Sequence, residues 1–286
     1  MSNQNLRQRE GARYIISGYL STETALHIGS GYGNALTDAT VVRDFWERPY
    51  IPGSSLKGAL RSAVERMIGG LADSKVTSCQ LLEGAAHCLT TGSARQQAYQ
   101  ALAEERPVDE KKLVEFLEGE NGLCDTCRLF GSPYSQARLL IRDLPLVGDE
   151  VAASEIRHGV GIDRDTLTAR EKIKYDFEAL PSQLKFGLEL VVERPSALDL
   201  ALLALGLQEL QLGFVPLGGI RTRGLGRCQL ALAEVQRIDL TDKAAVLAFL
   251  TGSQGAGAGA PRRLAGQTNP AADFIQQHLT TLTAAV

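Results

Sequence analysis

Apolar and polar positions along the chain fall into two periods. Short stretches that alternate or stay apolar run from Tyr14 to Leu20, Thr24 to Ile28, Ala137 to Leu144, Leu184 to Glu193 and Arg227 to Val235. These predict strands. Elsewhere the apolar spacing is helical. Leu56, Leu60, Val64 and Met67 make the buried stripe of a helix predicted over 54–68, with Ser54 as its N-cap and Gly69-Gly70 ending it. Ser196 is placed to cap a second, very apolar helix over about 197–211. Weaker helical patterns lie near 94–104 and 109–118, inside an otherwise irregular stretch, 71–136.

Stripped of insertions, the order is β-α-β-β-α-β. This predicts an α+β chain with a ferredoxin-like (RRM-like) core. The same unit underlies modules that lay RNA on a sheet, although a fold alone assigns no function. Two insertions interrupt it, 71–136 and the polar, charged stretch 148–182. No Pro/Ser-rich linker divides the chain before residue 252, so 1–251 reads as one elaborated domain. Residues 252–270 are Gly/Ala-rich around Pro261-Arg262-Arg263 and predict a flexible linker. Phe274 to Val286 is then a tail, as a short helix or a frayed end. There is no internal repeat.

The chain of 286 residues has no apolar run of the roughly 18 residues that a membrane span needs. Its first residues, MSNQNLRQRE, lack an apolar signal core. These point to the cytoplasm, where five cysteines are expected as thiols or metal ligands rather than disulfides. A formal net charge of −3 argues against a generic nucleic-acid binder. The distribution argues the other way. Residues 218–227 carry Arg221, Arg223 and Arg227 and no acid, while acids concentrate in 104–120. An acidic protein can still present a basic groove.

Three groups of residues carry chemistry. Ser54, Ser55, Lys57 and Arg61 stand at or near a helix start, where free N–H groups and the dipole favour phosphate. The loop Gly218-Gly219-Ile220-Arg221-Thr222-Arg223-Gly224-Leu225-Gly226 has glycines where backbone can come close and arginines that can fork onto phosphates. Cys124 and Cys127 form a C-x2-C knuckle, and Cys79 and Cys88 lie upstream in the same insertion, with His87 as an alternative to Cys88. That set suits a structural zinc ion, Zn2+, with four ligands and no open position. Gly29, Gly31 and Gly33 do not open a helix, which sets aside a dinucleotide loop.

Three segments also carry a resemblance. "YIPGSSLKGALRSAVE", "CDTCRLFGS" and "LGGIRTRGLGRCQL" resemble, in order, blocks of the RAMP (repeat-associated mysterious protein) superfamily of CRISPR systems. In detail the chain looks like the repeated backbone subunit of type III effector complexes. The blocks span most of residues 13–235. The superfamily is built on the ferredoxin-like fold. Residues 148–182 resemble its thumb, a β-hairpin that reaches over a guide RNA.

The resemblance implies function. The partners would be a CRISPR guide RNA, a complementary target RNA and other effector subunits, with no membrane. Ser54, Ser55, Lys57, Arg61, Gly219, Arg221, Thr222, Arg223 and Gly224 would hold guide RNA. Base pairing, not side chains, would read sequence. In catalytic relatives an aspartate in the loop before the first helix is needed for target cleavage, and the matching residue is Asp38, although Ala39-Thr40 follow where relatives often place proline. The chain would then be an endoribonuclease in which a 2′-hydroxyl attacks the adjacent phosphate. Asp38 would orient or deprotonate that hydroxyl, or hold a divalent cation such as Mg2+. The alternative is a non-catalytic RNA-binding scaffold of the same complex. A guide-processing nuclease would centre instead on His27.

Overall fold

The computed structural model describes residues 6–70, 75–80, 82–85, 88–148, 153–251 and 267–285. His87 lies outside them, as does most of the expected linker. The strands are β1 (Ala12–Thr22), β2 (Tyr50–Ile51), β3 (Leu139–Ile141), β4 (Leu144–Pro145), β5 (Glu155–Ile162), β6 (Ala169–Ala179), β7 (Lys185–Glu193), β8 (Cys228–Asp239) and β9 (Gln267–Pro270). The helices are α1 (Gly53–Gly69), α2 (Ala94–Glu104), α3 (Glu110–Glu118), α4 (Asp125–Phe130), α5 (Ala197–Gln211), α6 (Lys243–Thr251) and α7 (Ala271–Ala285).

An antiparallel sheet in the order β3-β7-β1-β8-β9 forms the frame of this α+β fold. β1 lies between β7 and β8, with Ile16 opposite Leu190 on one side and Val235 on the other. Because side chains alternate along a strand, Tyr14, Ile16, Leu20, Phe186, Leu188 and Leu190 share a buried face. α1 and α5 pack together over the same core, and α7 packs on α5 and β8. α1 buries Leu56, Leu60, Ala63, Val64 and Ile68. Met67, expected in that stripe, is instead 43% exposed, since Ile68 takes the inward position. α5 begins with a full capping box, in which Ser196 and Asp199 satisfy each other's amides. Asp199 also receives the buried guanidinium of Arg138 at 2.5 Å.

Some elements depart from the sequence pattern. Thr24 to Ile28 forms no strand, only a bridge between Leu26 and Leu180. The stretch 137–144 divides: β3 joins the main sheet, and β4 pairs with β2. Ser54 does not cap α1. Pro52 holds the cap position, and the Gly53 amide donates to Asp143 Oδ1 at 2.8 Å. β8 runs on to Asp239 because β1 pairs with it along its whole length. The C-terminal stretch adds β9 to the edge of β8 and buries Phe274, Ile275 and Leu282 from α7.

β5 and β6 form a separate antiparallel hairpin. Its turn is tied by Asp163 Oδ1, which accepts from the amides of Asp165 (3.0 Å) and Thr166 (3.1 Å). Gly159 of β5 lies beneath the Tyr175 ring of β6, so a Cβ there would overlap the ring. Among the described residues, no helix is long and apolar enough to cross a membrane.

Candidate nucleic-acid interface and metal centre

At the end of the sheet where β1 leaves and β8 enters, loop 217–226 folds back on segment 25–27. Leu217 N–H donates to Gly226 O, Gly219 N–H to His27 O and Gly226 N–H to Ala25 O, each at 2.8 Å. Gly218 has a positive φ of 77°, and a Cβ there would strike the His27 carbonyl. Only glycine suits both demands. Arg221–Arg223 then make one exposed 3-10 turn.

Between this loop and the start of α1 lies an open groove of about 460 Å³. Ser54, Ser55, Gly58 and Ser62 line one wall, Gly218, Gly219 and Arg221 the other, with Ile28 and Gly29 among the remaining lining. The fold thus brings Ser54, Ser55, Gly219 and Arg221 together across more than half the chain. Thr222, Arg223 and Gly224 continue the exposed loop. Lys57 is half-buried outside that lining. Burial, and then the nearby charge of Arg61, lower its pKa below the ordinary lysine value. Arg61 turns away from the groove. Its guanidinium donates to Glu65 (2.8 Å), to the carbonyl of Gly131 (2.9 Å) and to the Cys127 sulfur (3.2 Å). It braces the insertion rather than facing the opening.

Asp38 is exposed, in a loop laid along β6. Its N–H donates to Asp176 O (3.1 Å), its Oδ2 accepts from Asp176 N–H (2.9 Å), and Ala39 bridges Phe177 in parallel. Oδ1 takes part in none of the hydrogen bonds found among the described residues. Further along, Glu178 of β6 accepts from Val41 N–H (2.8 Å), from Arg43 (2.6 Å) and from the Ser154 hydroxyl. Burial would raise the Glu178 pKa, but those three donors outweigh it and hold the carboxyl below its ordinary range. Asp44 acts locally. Its Oδ1 accepts from the amides of Trp46 and Arg48, both at 2.9 Å, and so forms the turn. His27 is buried, and its Nδ1–H donates to Glu178 O at 2.6 Å. Its ring meets Phe177 edge-on at 5.5 Å. This is the setting of a packed spacer between loop 217–226 and β6.

Sequence reasoning missed the hairpin side of this site. Asp176 and its cross-strand partner His158 are joined at 2.6 Å, on the face of the hairpin opposite Tyr175 and Phe177, because side chains alternate along a strand. Tyr175 stacks on Phe177 and receives Arg223 over its ring. The contact between Asp38 and Asp176 spans 138 positions, so no local spacing encodes it.

The cysteines converge. The sulfurs of Cys79, Cys88, Cys124 and Cys127 all lie within 4.8 Å of one another and are buried. They sit in a small core of their own with Leu89, Leu117 and Leu123. A tetrahedral Zn–S site has sulfurs about 3.8 Å apart, so the donor set and its spacing suit a metal such as zinc. The close thiols of Cys127, Cys79 and Cys88 favour a charged Cys124 sulfur and pull its pKa far below that of a free thiol. The Cys127 thiol is raised in return, with Cys124 the largest cause. Cys228 stands apart, buried in the main core.

Comparison with known proteins gives the class first. The family profile of the RAMP superfamily matches residues 19–229, and the chain belongs to that superfamily. Its relatives are more particular. A protein of Methanothermobacter thermautotrophicus named "CRISPR system Cms endoribonuclease Csm3" is 24% identical over 250 residues, covering 76% of this chain and 82% of the relative. Proteins of the same name from Methanocaldococcus jannaschii and Enterococcus italicus match shorter segments. The first is 44% identical over 61 residues, 20% of this chain and 24% of its own. The second is 45% identical over 58 residues, 19% of this chain and 27% of its own.

Proposed function

We propose that this chain is the guide-RNA-binding backbone subunit of a cytoplasmic type III CRISPR effector complex, and that it cleaves the complementary target RNA at Asp38. The observation that carries this is the position of Asp38. Its exposed carboxylate accepts one hydrogen bond from the Asp176 amide of the β5–β6 hairpin, and its backbone N–H donates another to the Asp176 carbonyl. The same hairpin touches the arginine-bearing loop that borders the groove. The names of the relatives, CRISPR system endoribonucleases, support the same reading. The strand order β8-β1-β7-β3, with α1 and α5 over one face, supports a ferredoxin-like core.

In this reading guide phosphates lie in the groove. They meet Ser54, Ser55 and backbone amides on one wall and Arg221 on the other, with Thr222, Arg223 and Gly224 along the exposed loop. Lys57 adds positive potential beside the helix start. The β5–β6 hairpin acts as a thumb that interrupts guide–target pairing and exposes a target linkage beside Asp38. Its carboxylate takes the 2′-hydroxyl proton, and the 2′-oxygen attacks phosphorus to leave a cyclic phosphate and a 5′-hydroxyl. A divalent cation, when bound, would neutralise phosphate charge, with Asp38 as the protein ligand and substrate oxygens and water as the others. Cys79, Cys88, Cys124 and Cys127 hold a structural zinc ion that steadies the insertion.

The test is an assembled complex carrying a guide, offered a complementary target. The unmutated chain should cut the target and leave 5′-hydroxyl ends. Asp38→Ala should bind guide and target yet fail to cut. Normal cutting by that variant would leave the scaffold role in its place.

A further inference from the structure

Transfer of a 2′-oxygen to phosphorus needs two proton movements. One proton leaves the 2′-hydroxyl, and another must reach the departing 5′-oxygen, which is a poor leaving group as an alkoxide. Asp38 as a base accounts for the first alone. Two ionisable side chains, Asp38 and His158, are each attached to Asp176 of β6, the first at its backbone and the second at its carboxylate. Asp38 is tied to the backbone of Asp176. The Asp176 carboxylate is 2.6 Å from His158 Nδ1, and His158 is its direct register partner on β5. β6 is therefore flanked on one edge by the Asp38 loop and on the other by β5. Neighbouring strands are about 4.8 Å apart, so the backbones that carry Asp38 and His158 lie roughly 10 Å apart across β6, and the Asp38 carboxylate reaches inward from its side to the Asp176 amide. That span accommodates a ribose–phosphate linkage with one group at each end. His158 is 77% exposed, open to a strand lying across the hairpin.

The tautomer is set by this pairing. A carboxylate accepts only, so Nδ1 carries a hydrogen toward Asp176. Nε2 is then the nitrogen that presents a proton outward when the ring is charged, and Asp176 fixes the direction in which the ring points.

We propose that His158, held by Asp176, is the general acid of target cleavage, opposite Asp38 across β6. The inference rests on the nuclease reading given above. The step balances. The 2′-oxygen forms a bond to phosphorus as its proton passes to Asp38. The bond from phosphorus to the 5′-oxygen breaks, and that oxygen takes the proton of His158 Nε2. The products are a 2′,3′-cyclic phosphate and a 5′-hydroxyl, with a protonated Asp38 and a neutral His158. Solvent water returns both to their starting states.

The experiment uses the assembled complex and two targets that differ at one linkage. One has the ordinary 5′-oxygen at the cut position. The other has a bridging 5′-sulfur, whose thiolate departs without help from an acid. His158→Ala should slow the oxygen substrate by about a hundredfold or more and leave the sulfur substrate within about threefold of the unmutated complex. Asp176→Asn should show the same selectivity at smaller size. Asp38→Ala should slow both substrates. Guide binding by His158→Ala, measured separately, should be unchanged, because His158 is not among the residues that line the groove assigned to guide phosphates. An equal loss on both substrates would make His158 an electrostatic or structural group and overturn the proposal. No loss on the oxygen substrate would overturn it as well. If Asp38→Ala cuts both targets normally, the nuclease reading itself fails, which is a different result from failure of the acid.

Discussion

The guanidinium of Arg223 lies 5.5 Å from the centroid of the Tyr175 ring. Tyr175 stacks on Phe177 at 6.2 Å, and Phe177 meets His27 at 5.5 Å. Loop 217–226 and the β5–β6 hairpin are thus joined through a line of rings that ends in one guanidinium. A cation over a ring at an exposed site contributes about 0.5–1 kcal/mol. It ties the arginine turn to β6, the strand along which the Asp38 loop lies.

Removing the charges of this turn should weaken RNA binding for every guide sequence. For a single strand, each phosphate that is no longer neutralised by the protein lowers the slope of log K against log salt by about 0.7. The double variant Arg221→Ala/Arg223→Ala should therefore show a visibly flatter slope in binding titrations at several salt concentrations. Lys57→Ala should flatten it less, since Lys57 stands off the groove. A double variant with an unchanged slope would show that the loop does not face phosphate.

Asp38 can be divided into shape and charge. Asp38→Ala removes the acceptor for Asp176 N–H and should lower stability by about 0.5–1.5 kcal/mol. Asp38→Asn keeps an acceptor oxygen and should unfold close to the unmutated protein. Both should lower target cleavage at least a hundredfold. Thermal unfolding and cleavage rates, measured on the same preparations, check the separation. If Asp38→Asn cuts well, the carboxylate charge is not what the reaction uses.

The cysteine cluster should carry about one zinc per chain, measured by metal analysis of protein prepared without added metal. Cys124→Ser should lose that metal and melt at a lower temperature. Cys228→Ser, altering a thiol outside the cluster, should keep it. A chain without metal and of unchanged stability would leave the cluster as four buried thiols.

Glu178 gives the loop 38–43 a dependence on pH. Its folded pKa is lower than its unfolded one, so the stabilisation it contributes is present above the unfolded carboxylate value, about 4.3. It is lost as pH falls below that value and through the folded pKa. Hydrogen exchange at Val41, corrected for intrinsic rates, should therefore stay protected from neutral pH to about 4.3 and rise below it. In Glu178→Gln the protection should be lower at neutral pH and vary less with acid. A variant with the same acid profile as the unmutated protein would assign the transition to another carboxyl.

Much of this is legible in the chain, for local reasons. α5 is marked at its start because Ser196 and Asp199 are three positions apart and form a box. The cysteine pairs declare themselves by spacing within one insertion. The groove is legible as two halves, a serine-bearing helix start and a glycine–arginine loop, although their meeting is a tertiary fact. Other features are hidden because their partners are remote. Ser54 has the chemistry of a cap, but Asp143, which caps Gly53 from the β3–β4 turn, is distant in sequence. Arg61 reads as a cation facing RNA, since helical spacing gives a face but not what that face meets. The Asp38–Asp176–His158 chain is invisible in sequence because β6 is polar on its outward side and its neighbours come from two separate segments.

Arg61 has a thermodynamic consequence. One helix carries both the wall of the groove, at its start, and the arginine whose guanidinium rests on the Cys127 sulfur, two turns on. Any free energy by which a filled cysteine centre steadies α1 for RNA must return in full. RNA in the groove would retain the metal more tightly by the same factor that the metal tightens RNA. Chelators would then weaken RNA affinity without touching any group that meets RNA, and a guide-loaded chain would surrender its metal last.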